Sequence, residues 1–276
     1  MRRRSRAILG HVTWAPVDRA ALLERTDDPY LRYAAPADTL GVVGPLGWAA
    51  LMRWRPHGHW GGAAMTTAGA PAGAESEALA ALSTVAQERG AMPEWFSTAP
   101  GRELAPPPGW EVRGGGTWAF MWTDRAQGLP PAPAGLVELD DIADTARIEH
   151  FGSSHNPAFE GFPGRGFASL WLGVQDAAGE LTAVGAVHDL ATGVPHLSGI
   201  VVREDLRGTG LGTGLTAELT RRAVASHGAS TLGVYSDNEV ALHVYARLGY
   251  AVAHHLHTRG LAPVEPSGPA QTGDLR

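Results

Sequence analysis

The sequence predicts an α/β fold in which a mixed central β-sheet is flanked by helices, within a chain of two domains. Three observations carry this reading. The 276 residues exceed the usual length of one compact domain, so two hydrophobic cores are expected. The run Gln127-Gly128-Leu129-Pro130-Pro131-Ala132-Pro133-Ala134-Gly135 fixes φ and removes backbone donors at each proline, which makes a semi-rigid linker. After it, short apolar runs alternate with segments of helical spacing.

Taken in order, residues 1–125 form the first unit. Trp48–Arg55, Glu94–Thr98 and Thr117–Thr123 read as strands, and Glu75–Arg89 as a helix with Leu79, Leu82, Val85 and Ala86 at helical spacing. Residues 126–135 are the linker and 136–260 the second unit. There, Val137–Leu139 reads as a strand, and Asp140 or Asp141 caps a helix that runs through Phe151. Ala168–Gln175 and Leu181–Asp189 flank the turn Asp176–Glu180 as a hairpin, and His196–Arg203 follows the turn Thr192-Gly193 as a third strand. A glycine-rich loop then leads into an amphipathic helix from Gly212 to His227, a strand Thr231–Tyr235, a helix Asn238–Leu248 and a last strand Tyr250–His257. Residues 261–276 lack periodicity and read as a flexible tail.

Composition removes several classes of function. With 44% hydrophobic and 18% charged residues, the chain has the make-up of a soluble globular protein. No stretch approaches the roughly 18 to 20 apolar residues of a membrane span, and the basic start Met1-Arg2-Arg3-Arg4 is not followed by the apolar core of a signal peptide. A cytoplasmic location without a membrane partner is therefore expected. There is no cysteine, so disulfides, thiolate zinc sites and cysteine nucleophiles are excluded; there is also no lysine, so Schiff-base chemistry and a Walker A loop are excluded too. The net charge of −6 speaks against a nucleic-acid groove.

The chemistry concentrates in Arg207-Gly208-Thr209-Gly210-Leu211-Gly212, which follows the apolar run Ile200-Val201-Val202 and enters a helix at once. Backbone N–H groups of such a turn converge, and the helix adds unpaired donors and the positive end of its dipole, so a pyrophosphate suits the place. A dinucleotide fingerprint fails on spacing: the sixth position is Thr213 counted from Gly208, and Leu215 counted from Gly210. Glycines at 208, 210, 212 and 214 are also costly where a helix must start, at roughly 0.5–1 kcal/mol each. Further on, Asn238 can cap a helix that carries Ala241 and Tyr245 on one face and ends at Gly249.

The Arg-x-x-Gly-x-Gly loop after an apolar strand, followed by Asn238, Ala241, Tyr245 and Leu248-Gly249-Tyr250, resembles the two motifs of the GNAT superfamily of N-acetyltransferases. The resemblance is strong over roughly Val194–His257. It implies that Arg207, Gly208, Thr209, Gly210, Leu211, Gly212 and Thr213 hold the pyrophosphate of acetyl-coenzyme A, its cosubstrate. It further implies that the backbone of Ile200, Val201 and Val202 holds the pantetheine arm, that Asn238 touches the cofactor, and that Tyr245 is the general acid. A phenol beside the departing thiolate, whose conjugate acid has a pKa of about 8.5, can supply a proton. One departure is Glu204, where the family often has proline. The bland alternatives are a packed aromatic for Tyr245 and a simple cap for Asn238.

The expected activity is transfer of acetyl to a primary amine, on a small molecule or a peptide, by direct attack in a ternary complex. The alternatives are a mycothiol-synthase-like acetyltransferase and a non-catalytic coenzyme A-binding module. A homodimer is left open, since the oligomeric state lies beyond the sequence. The base is open among His196, Ser198, Asp189 and Glu160. The segment Ser153–Gly166, with its aromatics and Arg165, corresponds to the acceptor-side loop or is only surface. His150, His155, His254, His255 and His257 lack carboxylates in ligand spacing, so no metal is expected. The first unit resembles a degenerate GNAT unit, and that resemblance implies two GNAT-like units in tandem, each a mixed central β-sheet flanked by helices: Trp60-Gly61-Gly62 is not followed by an arginine-led glycine run, and no Asn-to-Tyr arm comes after it.

Overall fold

The computed structural model describes residues 13–264. Its strands form one twelve-stranded mixed sheet. The N-terminal half supplies β1 (Ala15–Val17), β2 (Leu40–Gly44), β3 (Gly47–Arg53), β4 (Trp60–Thr66), β5 (Pro93–Thr98) and β6 (Trp110–Thr123), with helices α1 (Arg19–Thr26), α2 (Pro29–Ala34) and α3 (Ala74–Glu88). The C-terminal half supplies β7 (Leu136–Leu139), β8 (Ala168–Gln175), β9 (Leu181–Asp189), β10 (Pro195–Val202), β11 (Ser230–Tyr235) and β12 (Ala251–Pro263), with α4 (Thr145–His155), α5 (Leu211–His227) and α6 (Glu239–Arg247).

The strand order is β1-β2-β3-β4-β5-β12-β6-β11-β10-β9-β8-β7. Read from its two edges inward, this is one plan used twice. In each half the first four strands are antiparallel neighbours and the fourth lies parallel to the fifth. The sixth strands are then exchanged. β12 pairs with β5, β6 pairs with β11, and the two pair with each other along their length. The halves are thus separate in sequence but share their central strands.

The hairpin between β9 and β10 adds to the seam. Ala191 donates its N–H to the Trp54 carbonyl at 3.0 Å, Thr192 Oγ1 donates to the Tyr33 carbonyl at 2.6 Å, and Leu190 is buried in the N-terminal core beside Tyr30 and Phe120. Against the C-terminal sheet, α5 packs Leu215 and Leu219 onto Leu197, Leu232 and Val234.

Several elements differ from the sequence reading. β6 begins at Trp110 and not Thr117, because Trp110–Arg113 and Gly116 pair with the far end of β12 on either side of a register shift that takes in Gly114 and Gly115. β12 runs through Pro263, past His257 and three residues into the expected tail; the rest of that tail, from 265, lies outside the described residues. α4 starts at Thr145 and not at Asp140 or Asp141. Asp140 closes a turn through the N–H groups of Ile142 and Ala143, and Asp141 takes the N–H groups of Gly164 and Gly166 and the Trp171 indole. The N-terminal half holds β1, α1, α2, β2 and β4 beyond the strand, helix and strand read from sequence. Among the described residues no helix is long and apolar enough to cross a membrane.

Candidate active site

β10 and β11 run parallel but pair only at His196 with Thr231 and Leu197 with Leu232. Beyond Leu197 the strands part. A bulge causes this on the β10 side: register with β9 shifts between Ser198 and Val201, and Gly199 sits at φ +61°. A side chain at Gly199 would strike the backbone of Gly161 at 2.8 Å, so glycine lets the 156–166 loop lie across the bulge. The edge of β10 from Ser198 to Val202 therefore has no strand pairing towards β11. Ile200 and Val202 pack on the α5 side of the sheet, and Val201 packs on the other with Ile148 and Trp171.

Past Val202, the short 3₁₀ turn Glu204–Leu206 brings the chain to the glycine-rich loop. Gly208 and Gly210 have φ of +79° and +90°, and a Cβ on either would enter open space. Gly210 is the N-cap of α5 in the left-handed region, with no side-chain cap and no acid in the first turn. The first intrahelical bond is that of Gly214 to the Gly210 carbonyl. The N–H groups of Leu211, Gly212 and Thr213 precede it and have no helical acceptor. A bare helix end with its dipole unopposed, fronted by open space, suits an anion. Thr209 Oγ1 is turned inward onto the Leu206 carbonyl at 2.7 Å. Arg207 spans the floor of the loop, donating to the Val202 carbonyl at 3.3 Å and the His155 carbonyl at 2.6 Å.

Asn238 caps α6, accepting the Ala241 N–H at 3.1 Å. Tyr245 stands one helical turn beyond Ala241 and packs edge-on against Tyr250, with ring centroids 6.0 Å apart. It borders the same apolar cluster as Ile200, Val202 and Leu211. Among the described residues its hydroxyl has no hydrogen-bond partner, in contrast to Tyr250, whose hydroxyl meets Thr220 and Ser230. Burial pushes the Tyr245 phenol up to about 12, so it keeps its proton throughout the neutral range.

The face of the sheet opposite α5 carries the other half of the site. Glu160, in the loop over the bulge, joins the two parted strands: its carbonyl accepts from Ser198 Oγ at 3.2 Å on β10, and its carboxylate from the Tyr235 hydroxyl at 3.0 Å at the end of β11. His196 is enclosed by Trp54 and Phe120. Thr231 Oγ1 donates to the Pro195 carbonyl, so it accepts from His196 Nδ1 at 2.9 Å. Burial first, then neighbouring His188 and Arg55, pushes His196 down to about 3. It is neutral and a weak base. Asp189 ends β9 and accepts from Ser169 at 2.9 Å. The sequence missed Arg55, His188 and the tryptophans of the N-terminal half, which the fold brings to this face; nothing local in the sequence marks them.

Two strands that part after two pairs and feed a glycine-rich helix start are the geometry that holds a coenzyme A arm and pyrophosphate in the family resembled above. A family model described as acetyltransferase (GNAT) family matches residues 136–250. These residues are a GNAT domain. Acetyl transfer is the chemistry of that family. Among solved structures, the chain is similar to a tandem GNAT protein from the clavulanic acid biosynthesis pathway at 19% identity, covering 93% of this chain and 99% of that one, with a TM-score of 0.45. It is similar to a GCN5-related N-acetyltransferase from Kribbella flavida at 15% identity, over 88% and 95% of the two chains, with a TM-score of 0.47. A GNAT-family acetyltransferase from Colwellia psychrerythraea follows at 13% identity, over 91% and 100%, with a TM-score of 0.49. No curated protein matches the chain.

His150, His155, His254, His255 and His257 are the histidines at which the sequence leads to no expectation of a metal. Among the described residues no group of three or more His, Asp and Glu side chains is gathered as a metal site. His254 Nε2 instead meets Asp28 at 2.7 Å, and Trp48 donates to the same carboxylate.

Proposed function

We propose that the chain is an acetyl-coenzyme A-dependent N-acetyltransferase that acetylates a primary amine by direct attack in a ternary complex. The observation that carries this reading is the unpaired edge of β10 leading into the uncapped start of α5. That edge can hydrogen-bond the amides of a pantetheine arm, and the helix start can take the pyrophosphate on Leu211, Gly212 and Thr213. Gly208 and Gly210 leave the space before the loop free. The donor set fits the cosubstrate.

In the reaction, the amine nitrogen attacks the acetyl carbonyl carbon and the carbon–sulfur bond breaks. The ammonium proton goes to a base, and the thiolate is met by the Tyr245 phenol. A phenol near 12 is a poor match to an ordinary thiol near 8.5, but the burial that raises the phenol raises a thiol in the same surroundings as well. Tyr245 thus acts first as a hydrogen-bond donor to the growing charge and then as the proton source. Glu160 is the base best placed by its bridging of the two parted strands. His196, neutral and pushed down to about 3, positions the face without taking the proton.

Calorimetry with acetyl-coenzyme A is the first test. Binding at micromolar concentration, followed by amine-dependent release of free thiol, is expected. Tyr245→Phe should lower kcat by about 10²-fold, the lower end for general acid catalysis, with the acetyl-coenzyme A KM unchanged. An absence of binding to the wild type would refute the acetyltransferase reading.

A further inference from the structure

Arg55 lies in the turn between β3 and β4, in the half that lacks the glycine loop, yet its guanidinium reaches the face that carries His196 and Glu160. His188 fixes it. His188 Nε2 is 3.0 Å from the Gly161 carbonyl, which can only accept, so Nε2 carries the proton and Nδ1 has the lone pair. Arg55 Nη2 donates to that lone pair at 3.3 Å. The guanidinium carbon sits 4.0 Å from the ring centre of Phe167 and 5.3 Å from that of Phe162. Both rings lie against the guanidinium, and among the described residues its one side-chain hydrogen bond is that to His188. The turn is held in place by the bond from Ala191 to the Trp54 carbonyl.

What is missing around Arg55 is an anion. Among the described residues no carboxylate comes within ion-pair distance of it, whereas Arg102, Arg203, Arg221 and Arg222 each have one. Glu160 bears on it electrostatically without an ion pair, and the carboxylate of Glu160 is held by Tyr235. One face of the site thus holds a half-buried cation and a separate carboxylate. A ligand that carries both an amine and an acid group complements both. An arginine packed on aromatic rings and with donors to spare matches a planar carboxylate by two parallel hydrogen bonds.

We propose that the acceptor is a primary amine that also carries a carboxylate, and that Arg55 of the N-terminal half is its specificity-determining residue. This rests on the acetyltransferase reading above and adds the substrate class. Glu160 receives the amino end and Arg55 the carboxylate. The paired halves are then one active site: the C-terminal half holds the acetyl donor and the N-terminal half selects the acceptor.

The test uses the full chain, acetyl-coenzyme A and matched acceptors: amino acids, their decarboxylated amines, and amines bearing a phosphate in place of the carboxylate. Thiol release should give the carboxylate-bearing member at least about a tenfold advantage in kcat/KM, the scale of hydrogen bonds to a charged group. In Arg55→Met this advantage collapses towards one, mainly through the acceptor KM. Arg55→Lys, which keeps the charge and the stem, retains an intermediate ratio. Calorimetry of the amino acid against coenzyme A-loaded protein gives the same ranking without turnover. Equal handling of the pair by the wild type, a preference for the phosphate-bearing amine, or a ratio that survives in Arg55→Met overturns the proposal. Failure of acetyl-coenzyme A to bind at all is the separate outcome that removes the underlying reading.

Discussion

The two halves share a plan and differ at the same three places. In the C-terminal half, β10 and β11 part after two pairs; in the N-terminal half, β4 and β5 stay in register from Gly61 with Trp95 to Ala64 with Thr98. The Trp95 ring lies on Gly61 so closely that a Cβ there would fall 1.7 Å from it, so the slot is closed and its room is filled. The helix starts differ as well. Gly73 caps α3 with φ +91°, ψ −6°, nearly the conformation of Gly210 at φ +90°, ψ −5°. Yet Glu75 and Glu77 stand in the first turn of α3, and α5 has no acid there. Finally, α6 has no counterpart between β5 and β6. The backbone of an anion site is kept in both halves, but only in the C-terminal half is its charge left for a ligand.

Glu75 gives the largest expected effect. It is buried, accepts from Thr66 Oγ1 and pairs with Arg102 at 3.1 Å, so the start of α3 is neutralised from within. Glu75→Ala leaves Arg102 without its partner and removes a favourable charge from the helix start, at a cost of about 3 kcal/mol. Urea unfolding should show the loss as a shift in midpoint. Calorimetric stoichiometry for acetyl-coenzyme A should remain one per chain. A second binding event in the variant would mean that the two helix starts differ by this carboxylate alone, and that the closed β4/β5 register is no barrier.

Next in size is the contrast between the two cap glycines. Gly210→Trp places a large side chain in the open space before α5 and should weaken acetyl-coenzyme A binding at least about a hundredfold, near 2.7 kcal/mol. Gly73→Trp, at the same backbone conformation, should leave that affinity within a factor of about two, and should show its strain only in stability. Equal losses in the two variants would contradict the assignment of the cofactor to one half.

The same contrast explains what could be read from the sequence. The cofactor end of the site is built from neighbours in the chain: the loop 207–213 and the arm 238–250 show their spacing directly. β8 and β9 were read to the residue because a short turn bounds them. The strands β2 and β4 were not, since Leu40–Gly44 and Trp60–Thr66 are covered on both faces and are buried almost throughout; alternation, the signal of a half-buried strand, disappears there. β6 is longer than the sequence suggests because Gly116 and Trp110–Arg113 pair with β12, about 140 residues or more away, and only that partner makes the glycine run part of a strand. The acceptor face is the extreme case. Arg55 and His188 are 133 residues apart, and neither lies in a motif.

The smallest effect concerns that seam. His188 and His196 sit where the halves meet, and burial, with Arg55 adding to it, pushes them down to about 4 and about 3. In the unfolded chain each returns to about 6.5. Between these values the unfolded state binds more protons than the folded one, so the stability that comes from keeping them neutral is complete above pH 6.5 and is lost as pH falls towards 4 and 3. By pH 5 the loss is about 2 kcal/mol for each histidine. Carboxylates also contribute to acid unfolding, so the informative quantity is the difference between wild type and His188→Gln in urea midpoints from pH 7 to pH 5. The variant should be less stable at pH 7, having lost the link between Arg55 and Gly161, but should lose less on acidification. If its pH slope equals that of the wild type, His188 titrates alike in the folded and unfolded chain, and the fold does not hold its Nδ1 lone pair free for Arg55.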